Sequence, residues 1–212
     1  MTTIAVLGSG SVARALADPW SDAGHTIVVG SRDPGRTAAE RPLPGVHVTG
    51  LPDAARAADL VVNALPGTAS LDVLTALAPH LAGKVLVDVA NAVETDAQGF
   101  ASATLYPGGS LAEEIQRAVP AVHVVKTLNT VHVSLMAAPC TLTTPPSAFL
   151  SGDDPGARRT VGALLTDLGW PPEWIVDLGD LRTARAPEAF PLLVGSLVRA
   201  WGPVPFAMSV AR

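Results

Sequence analysis

The chain opens on an apolar run that feeds directly into a glycine turn. Ile4-Ala5-Val6-Leu7 is followed without a gap by Gly8-Ser9-Gly10-Ser11-Val12-Ala13. Strand, G-x-G-x-x-G/A and helix start, in that order, form the fingerprint of a dinucleotide-binding βαβ unit. Each small residue has its own duty. Gly8 permits the tight turn, Gly10 lets backbone approach a pyrophosphate, and Ala13 allows close packing of helix on strand. The backbone N–H groups from Ser9 through Ser11 to Val12 then face the phosphates from the helix N-terminus.

The second apolar run selects the dinucleotide. An NAD site places Asp or Glu about 20 residues past the fingerprint, to hold the ribose 2′-hydroxyl. Here the run ends in Gly30-Ser31-Arg32. A hydroxyl and a guanidinium both donate hydrogen bonds and one is cationic, so Ser31 and Arg32 suit a 2′-phosphate, with Arg36 as a second cation. Asp33 beside Arg32 offsets part of that charge, and a solvated loop is the other reading of this pair. The expected cofactor is NADP(H).

Short apolar segments recur along the chain. Strands are expected at Thr3–Leu7, Thr26–Val29, Val46–Val48, Leu60–Leu65, Val85–Val89, Val122–Thr127, Ala148–Ser151 and Glu173–Val176. Most are continuous rather than alternating, as in parallel strands buried on both faces. Helices are expected between them, at Ser11–Ala23, Ala54–Ala58, Ala69–His80, Ser110–Val119, Pro155–Leu168 and Leu181–Trp201. The alternation implies an α/β fold of the Rossmann type: a doubly wound, mostly parallel sheet with a small C-terminal helix–strand–helix extension. Residues 1–150 are assigned to the NADP-binding domain and 151–212 to the extension, packed on the same sheet. Pro19 lies inside the first helix, which predicts a kink or an early end there.

Composition narrows the function. With a net charge of −5 and no basic cluster, nucleic acid is not an expected partner. Mean hydropathy is +0.35, yet no apolar run approaches the roughly 18 residues of a membrane span. There is no basic segment followed by an apolar one and a cleavage site, and Cys140 has no partner for a disulfide, so a cytoplasmic location is expected. The histidines lack ligand spacing, and no metal is expected.

Ligands of open α/β sheets bind beyond the carboxyl ends of the strands. Asn63, Ala64 and Leu65 after the fourth strand are expected to line the cofactor path, or else to form an ordinary turn. Ala90 and Asn91 follow the fifth, where Asn91 either bonds the cofactor or satisfies its own turn. Lys126 and Asn129 end the sixth and are expected to face the nicotinamide, in positioning roles; a lysine head in solvent is the alternative. His25 and His80 read as surface residues and His123 as packed within a strand, while His132 falls near the ligand mouth. Thr141–Pro146 reads as a loop flanking the site.

These segments together resemble a known family. Gly8–Ala13, His25–Arg32, Leu60–Pro66 and Val85–Asn91 look like the coenzyme F420-dependent NADP oxidoreductases. Val125-Lys126-Thr127-Leu128-Asn129-Thr130 resembles that family's K-A-F-N-T stretch, and Gly179–Arg185 resembles its closing segment. The resemblance implies a Rossmann domain, usually dimeric, that exchanges hydride between NADPH and F420, a deazaflavin. It places Ser9, Ser31 and Arg32 at the 2′-phosphate, and Gly10, Ser11, Val12, Leu65 and Asn91 along the rest of the cofactor. Asn129 stands where F420-specific members often carry His; the Lys-Asn version resembles relatives that serve flavins. A flavin (FMN or FAD) as acceptor, or an NADP(H)-sensing protein without turnover, are therefore the alternatives.

Overall fold

The computed structural model describes residues 1–40 and 45–211. Eight strands form one sheet: β1 (Thr3–Leu7), β2 (Thr26–Ser31), β3 (His47–Gly50), β4 (Leu60–Asn63), β5 (Val85–Asp88), β8 (His123–Lys126), β9 (Ala148–Ser151) and β10 (Ile175–Gly179). The remaining two, β6 (Val93–Thr95) and β7 (Ala101–Thr104), pair as a separate hairpin. The helices are α1 (Ser11–Asp22), α2 (Pro34–Glu40), α3 (Leu51–Ala57), α4 (Gly67–Ala76), α5 (Ala78–Leu81), α6 (Leu111–Ala118), α7 (Pro155–Asp167), α8 (Arg185–Ala189) and α9 (Pro191–Trp201).

The strand order is β10-β9-β8-β5-β4-β1-β2-β3. Every pairing in it is parallel except β8 with β9, which meet antiparallel at Lys126 and Ser151. The chain winds outward from β1 in both directions, so the sheet's switch point lies between β1 and β4. A doubly wound sheet opens its ligand crevice there.

Strand burial explains the continuous apolar runs. Ile4 and Val6 pack on one face with Leu16 and Trp20 of α1 and Val161 of α7. Ala5 and Leu7 pack on the other with Ala54 of α3, Leu74 of α4 and Ile115 of α6. Trp20 and Trp170 are fully buried, and each indole N–H reaches a carbonyl: Leu164 O at 3.0 Å and Met136 O at 2.8 Å. Those two bonds pin α1 to α7 and the 133–136 turn to the end of α7.

Several elements depart from the sequence-based expectation. Pro19 does not stop α1, which continues to Asp22: Ala23 N–H still finds Pro19 O, and buried Trp20 holds the last turn on the sheet. The helix expected over Leu181–Trp201 breaks into a 3-10 turn (Leu181–Ala184), α8 and α9, with Pro191 opening α9 where its missing N–H costs nothing. β10 begins at Ile175, because Pro172–Trp174 form a 3-10 turn. α2 and the β6–β7 hairpin have no counterpart in the expected elements. The 144–146 segment lines a hollow beside Phe149 and Trp174, away from the crevice. Beyond α9 the chain returns to the segment that follows β8: Val131 and Ala207 form a bridge, and Met208 N–H donates to Thr130 O at 3.2 Å.

Candidate functional site

Two adjoining cavities follow the carboxyl ends of the strands, sharing Val12, Ala64 and Leu65 as a common wall. The first, of about 390 Å³, lies over the glycine turn. Gly8 has φ +117°, and a Cβ there would lie 2.5 Å from Ala64 O, so only glycine lets β1 and β4 turn side by side. Gly10 is the N-cap of α1 and has the opposite surroundings: a Cβ would meet nothing within 4 Å. That open space, beside the unpaired N–H groups of a twelve-residue helix, is a cradle for an anion. Gly10→Ala should cost under about 1 kcal/mol of stability, the usual worth of an N-cap change. Its Cβ would occupy the cradle, and titration of NADPH should show roughly tenfold weaker binding, the loss of one such hydrogen bond.

The far end of this cavity is polar. Ser9, Ser11, Ser31, Arg32 and Arg36 line it. Ser31 is buried, its hydroxyl 2.7 Å from that of Thr37, which in turn donates to Ser9 Oγ at 3.5 Å. Thr37 is a residue that sequence reasoning missed. The signal was present: Asp33 followed by Pro34 is an N-cap followed by N1. Asp33 Oδ1 accepts the N–H of Arg36 at 3.0 Å, and Asp33 O accepts that of Thr37. Asp33 therefore starts α2 and delivers Thr37 to the cavity. Arg36 sits 3.7 Å from Asp33, while Arg32 is exposed on the wall and joins no carboxylate among the described residues. An open glycine cradle joined to a hydroxyl cluster with a free guanidinium fits a dinucleotide carrying a 2′-phosphate.

The second cavity, of about 360 Å³, is mostly apolar. Asn91, Asn129, Thr130 and His132 are its polar side chains, and it is also lined by Phe190 just before α9, by Pro191 and Val194 of α9 and by Phe206 of the C-terminal tail. Leu128, buried at the end of β8, has φ +57°, a left-handed conformation that costs a leucine about 1 kcal/mol or more. The turn it makes brings Asn129 over Asn91. The two residues hold one another: Asn91 Nδ2 donates to the backbone carbonyl of Asn129 at 2.9 Å, and Asn129 Nδ2 donates to Asn91 Oδ1 at 3.1 Å.

Two expected site residues line neither cavity. Asn63 is fully buried; it donates to Asp88 Oδ1 at 2.8 Å and Ser70 Oγ at 3.0 Å and accepts from Leu65 N–H. It shapes the Ala64-Leu65 turn from beneath instead of touching a ligand. Lys126 is 1 % exposed, so its head is neither in solvent nor in the crevice. Its ammonium lies 2.8 Å from Asp88 and 2.9 Å from Glu188, and it also donates to Ala90 O. Glu188, absent from the sequence-based set, further accepts the N–H groups of Leu111 (2.6 Å) and Ala112 (3.1 Å) at the start of α6. Burial pushes Glu188 above the usual carboxylate range against the pull of Lys126. Burial alone would lower Lys126, but Asp88 and Glu188 together hold it above its ordinary value. The network ties β5, β8, α6 and α8 together directly behind Ala90 and Phe190.

The histidines sort differently than expected. His132 is exposed and lines the second cavity, as its position suggested. His123 is exposed, because β8 begins there at the sheet rim. His25 is largely covered and lies 3.1 Å from Asp167 of α7. Among the described residues no group of three or more His, Cys, Asp or Glu could hold a metal, and no helix is long and apolar enough to cross a membrane.

The chain is similar to known proteins over its whole length. Residues 3–92 match the family described as NADP oxidoreductase, coenzyme F420-dependent. A crystal structure from Arthrobacter sp. FB24, assigned provisionally as an F420-dependent NADP-reductase, is 40% identical with a TM-score of 0.93 over 100% of both chains. A hypothetical protein from Sinorhizobium meliloti is 32% identical with a TM-score of 0.72, over 85% of this chain and 86% of that one. The metalloreductase STEAP3 of Rattus norvegicus is 34% identical over 190 residues, 89% of this chain. This chain spans 36% of the length of that relative, and 39% of the human STEAP2 metalloreductase. The crevice at the β1–β4 switch point, with its glycine cradle, is thus set in a fold shared end to end with an oxidoreductase relative, and the chain belongs to the coenzyme F420-dependent NADP oxidoreductase family.

Proposed function

We propose that the chain binds NADP(H) along the crevice and passes a hydride between its nicotinamide and a flavin-like ring, with coenzyme F420 as the first-named acceptor. The observation that carries this reading is the continuity of the two cavities through Val12, Ala64 and Leu65. A polar, cationic end suits the 2′-phosphate, and a mostly apolar end suits two stacked rings. When bound, the cofactor supplies the hydride, so the protein's task is binding and orientation. Ser9, Ser31, Arg32, Arg36 and Thr37 hold the adenosine end. Gly8, Gly10, Ser11 and Val12 offer backbone to the pyrophosphate. The interlocked Asn91 and Asn129 fix the polar edge against which the nicotinamide lies, and Lys126 acts from behind by holding Ala90. Rate then comes from proximity of the two rings.

Reduction of FMN or FAD is the second reading, favoured by Asn129 in the place where F420-specific relatives often carry His. A homodimer would use the exposed apolar side chains of α9, Leu193 and Trp201. Anaerobic NADPH consumption with F420, FMN and FAD in parallel tests the reading. Turnover with F420 alone supports the first acceptor and turnover with FMN or FAD the second. Tight NADPH binding with no turnover on any of the three sinks both, in favour of an NADP(H) sensor.

A further inference from the structure

We propose that His132 is the proton donor of the acceptor half of the crevice, protonating the ring that has just received a hydride; this rests on the hydride-transfer reading above. Among the described residues lining the second cavity, Asn91, Asn129 and Thr130 have polar side chains that are not proton donors in acid–base chemistry, and His132 is the one side chain of general-acid type. Its backbone is held in place, because its N–H donates to Phe206 O at 3.1 Å and its carbonyl side enters the 133–135 turn. Its ring is held as well. Nδ1 lies 2.8 Å from Ser134 Oγ and 3.3 Å from Ser134 N. Ser134 therefore serves every protonation state at Nδ1, its N–H donating to a bare nitrogen and its Oγ accepting from a protonated one. Nε2 has no hydrogen-bond partner among the described residues, and the residue lines the cavity.

Neighbouring charges do not compete for this role. The helix packed on the 133–135 turn is α1, whose first two turns carry Arg14 as their one ionisable side chain, and Arg14 does not line the cavity. On α8, Arg185 is bound to Glu113 and Glu188 to Lys126. On α9, Arg199 reaches Ser196. The tail from Gly202 to Ala211 carries no charged residue.

The step balances as follows. Hydride transfer breaks one C–H bond at nicotinamide C4 and forms a bond from that hydrogen to the acceptor ring. Two electrons leave NADPH, giving NADP⁺ and a reduced ring that has gained negative charge. Protonated His132 gives its Nε2 proton to a ring nitrogen or oxygen and keeps Nδ1–H against Ser134 Oγ. Because His132 is exposed, water restores its proton. The sum is NADPH + acceptor + H⁺ → NADP⁺ + reduced acceptor.

The test uses the full chain with FMN, FAD and F420 as probes. Wild-type kcat should be higher at acid than at alkaline pH, because the step consumes a proton. His132→Gln should lower kcat about 10²-fold, at the low end for a positioned proton donor, and flatten the profile while NADPH binding is unchanged. Imidazole should restore part of the activity of His132→Ala. A His132→Gln enzyme that keeps the wild-type kcat and pH profile overturns the proposal. A wild type that oxidises no NADPH with any probe overturns the hydride-transfer reading itself, and the proton step with it.

Discussion

Lys126→Met should lower the stability of the protein by about 3–5 kcal/mol, the usual cost of leaving a buried charge without its partner. For a chain of this size each kcal/mol moves Tm by roughly 2–4 °C, so calorimetry should show a drop of about 6–20 °C. The size of the effect follows from what remains. Methionine fills most of the lysine volume, so little cavity cost arises. Asp88 and Glu188, both buried, lose the cation between them. Asp88 keeps Asn63 Nδ2 and the N–H of Ala90, and Glu188 keeps two N–H groups of α6. Those bonds support one carboxylate each but do not cancel the repulsion between them.

The pH dependence of that loss has a definite sign. Glu188 already sits above the usual carboxylate value because it is buried. Removing Lys126 removes the main group that pulls it down, so it rises further. A carboxyl whose folded value exceeds its unfolded value contributes most below the unfolded value, near pH 4.3, and loses that contribution as pH rises through the folded one. The Lys126→Met penalty should therefore be smaller at pH 5 than at pH 8. Adding Glu188→Gln to Lys126→Met should restore part of the loss at pH 8, since the amide is uncharged and its oxygen still accepts from α6. Equal penalties at both pH values, with no recovery in the double variant, would show that packing and not charge holds this junction.

The contrast between this network and the glycine turn shows what could be read from the chain. Gly8 to Ala13 is legible because its meaning is local: strand, turn and helix are adjacent in sequence. Ser31 and Arg32 are legible for the same reason. Asp33-Pro34 carries a local signal for the start of α2, but the same Asp33 also reads as a charge beside Arg32. Lys126, Asp88 and Glu188 come from three separate elements, and nothing near Glu188 marks it as buried. Asn63 was read by its place at a strand end. Its side chain instead follows the register, which sets it beside Asp88 on β5, and a buried amide must find such a partner. The β6–β7 hairpin escaped because Ala101-Ser102-Ala103-Thr104 carries little of the β-branched and aromatic content that signals a strand.

Arg32→Ala should raise the Kd for NADPH by about 10- to 100-fold and leave NADH within about twofold, as measured by fluorescence titration of each. Charge-assisted hydrogen bonds to a phosphate contribute about 1.5–3 kcal/mol, which converts to that range. The argument rests on availability. Arg36 shares its charge with Asp33, which also caps α2, whereas Arg32 joins no carboxylate among the described residues. Arg36→Ala should accordingly cost NADPH less than Arg32→Ala. The Ser31, Thr37 and Ser9 hydroxyls form a preorganised group of donors beside it, so part of the selectivity should survive the loss of Arg32. Ser31→Ala in the Arg32→Ala background should remove that part. Because Arg32 is exposed, wild-type affinity for NADPH should also fall as salt is raised from 0.05 to about 0.5 M, and the variant should show a shallower fall. NADPH and NADH weakened equally by Arg32→Ala would place the 2′-phosphate elsewhere and make Ser31-Arg32 an ordinary surface turn.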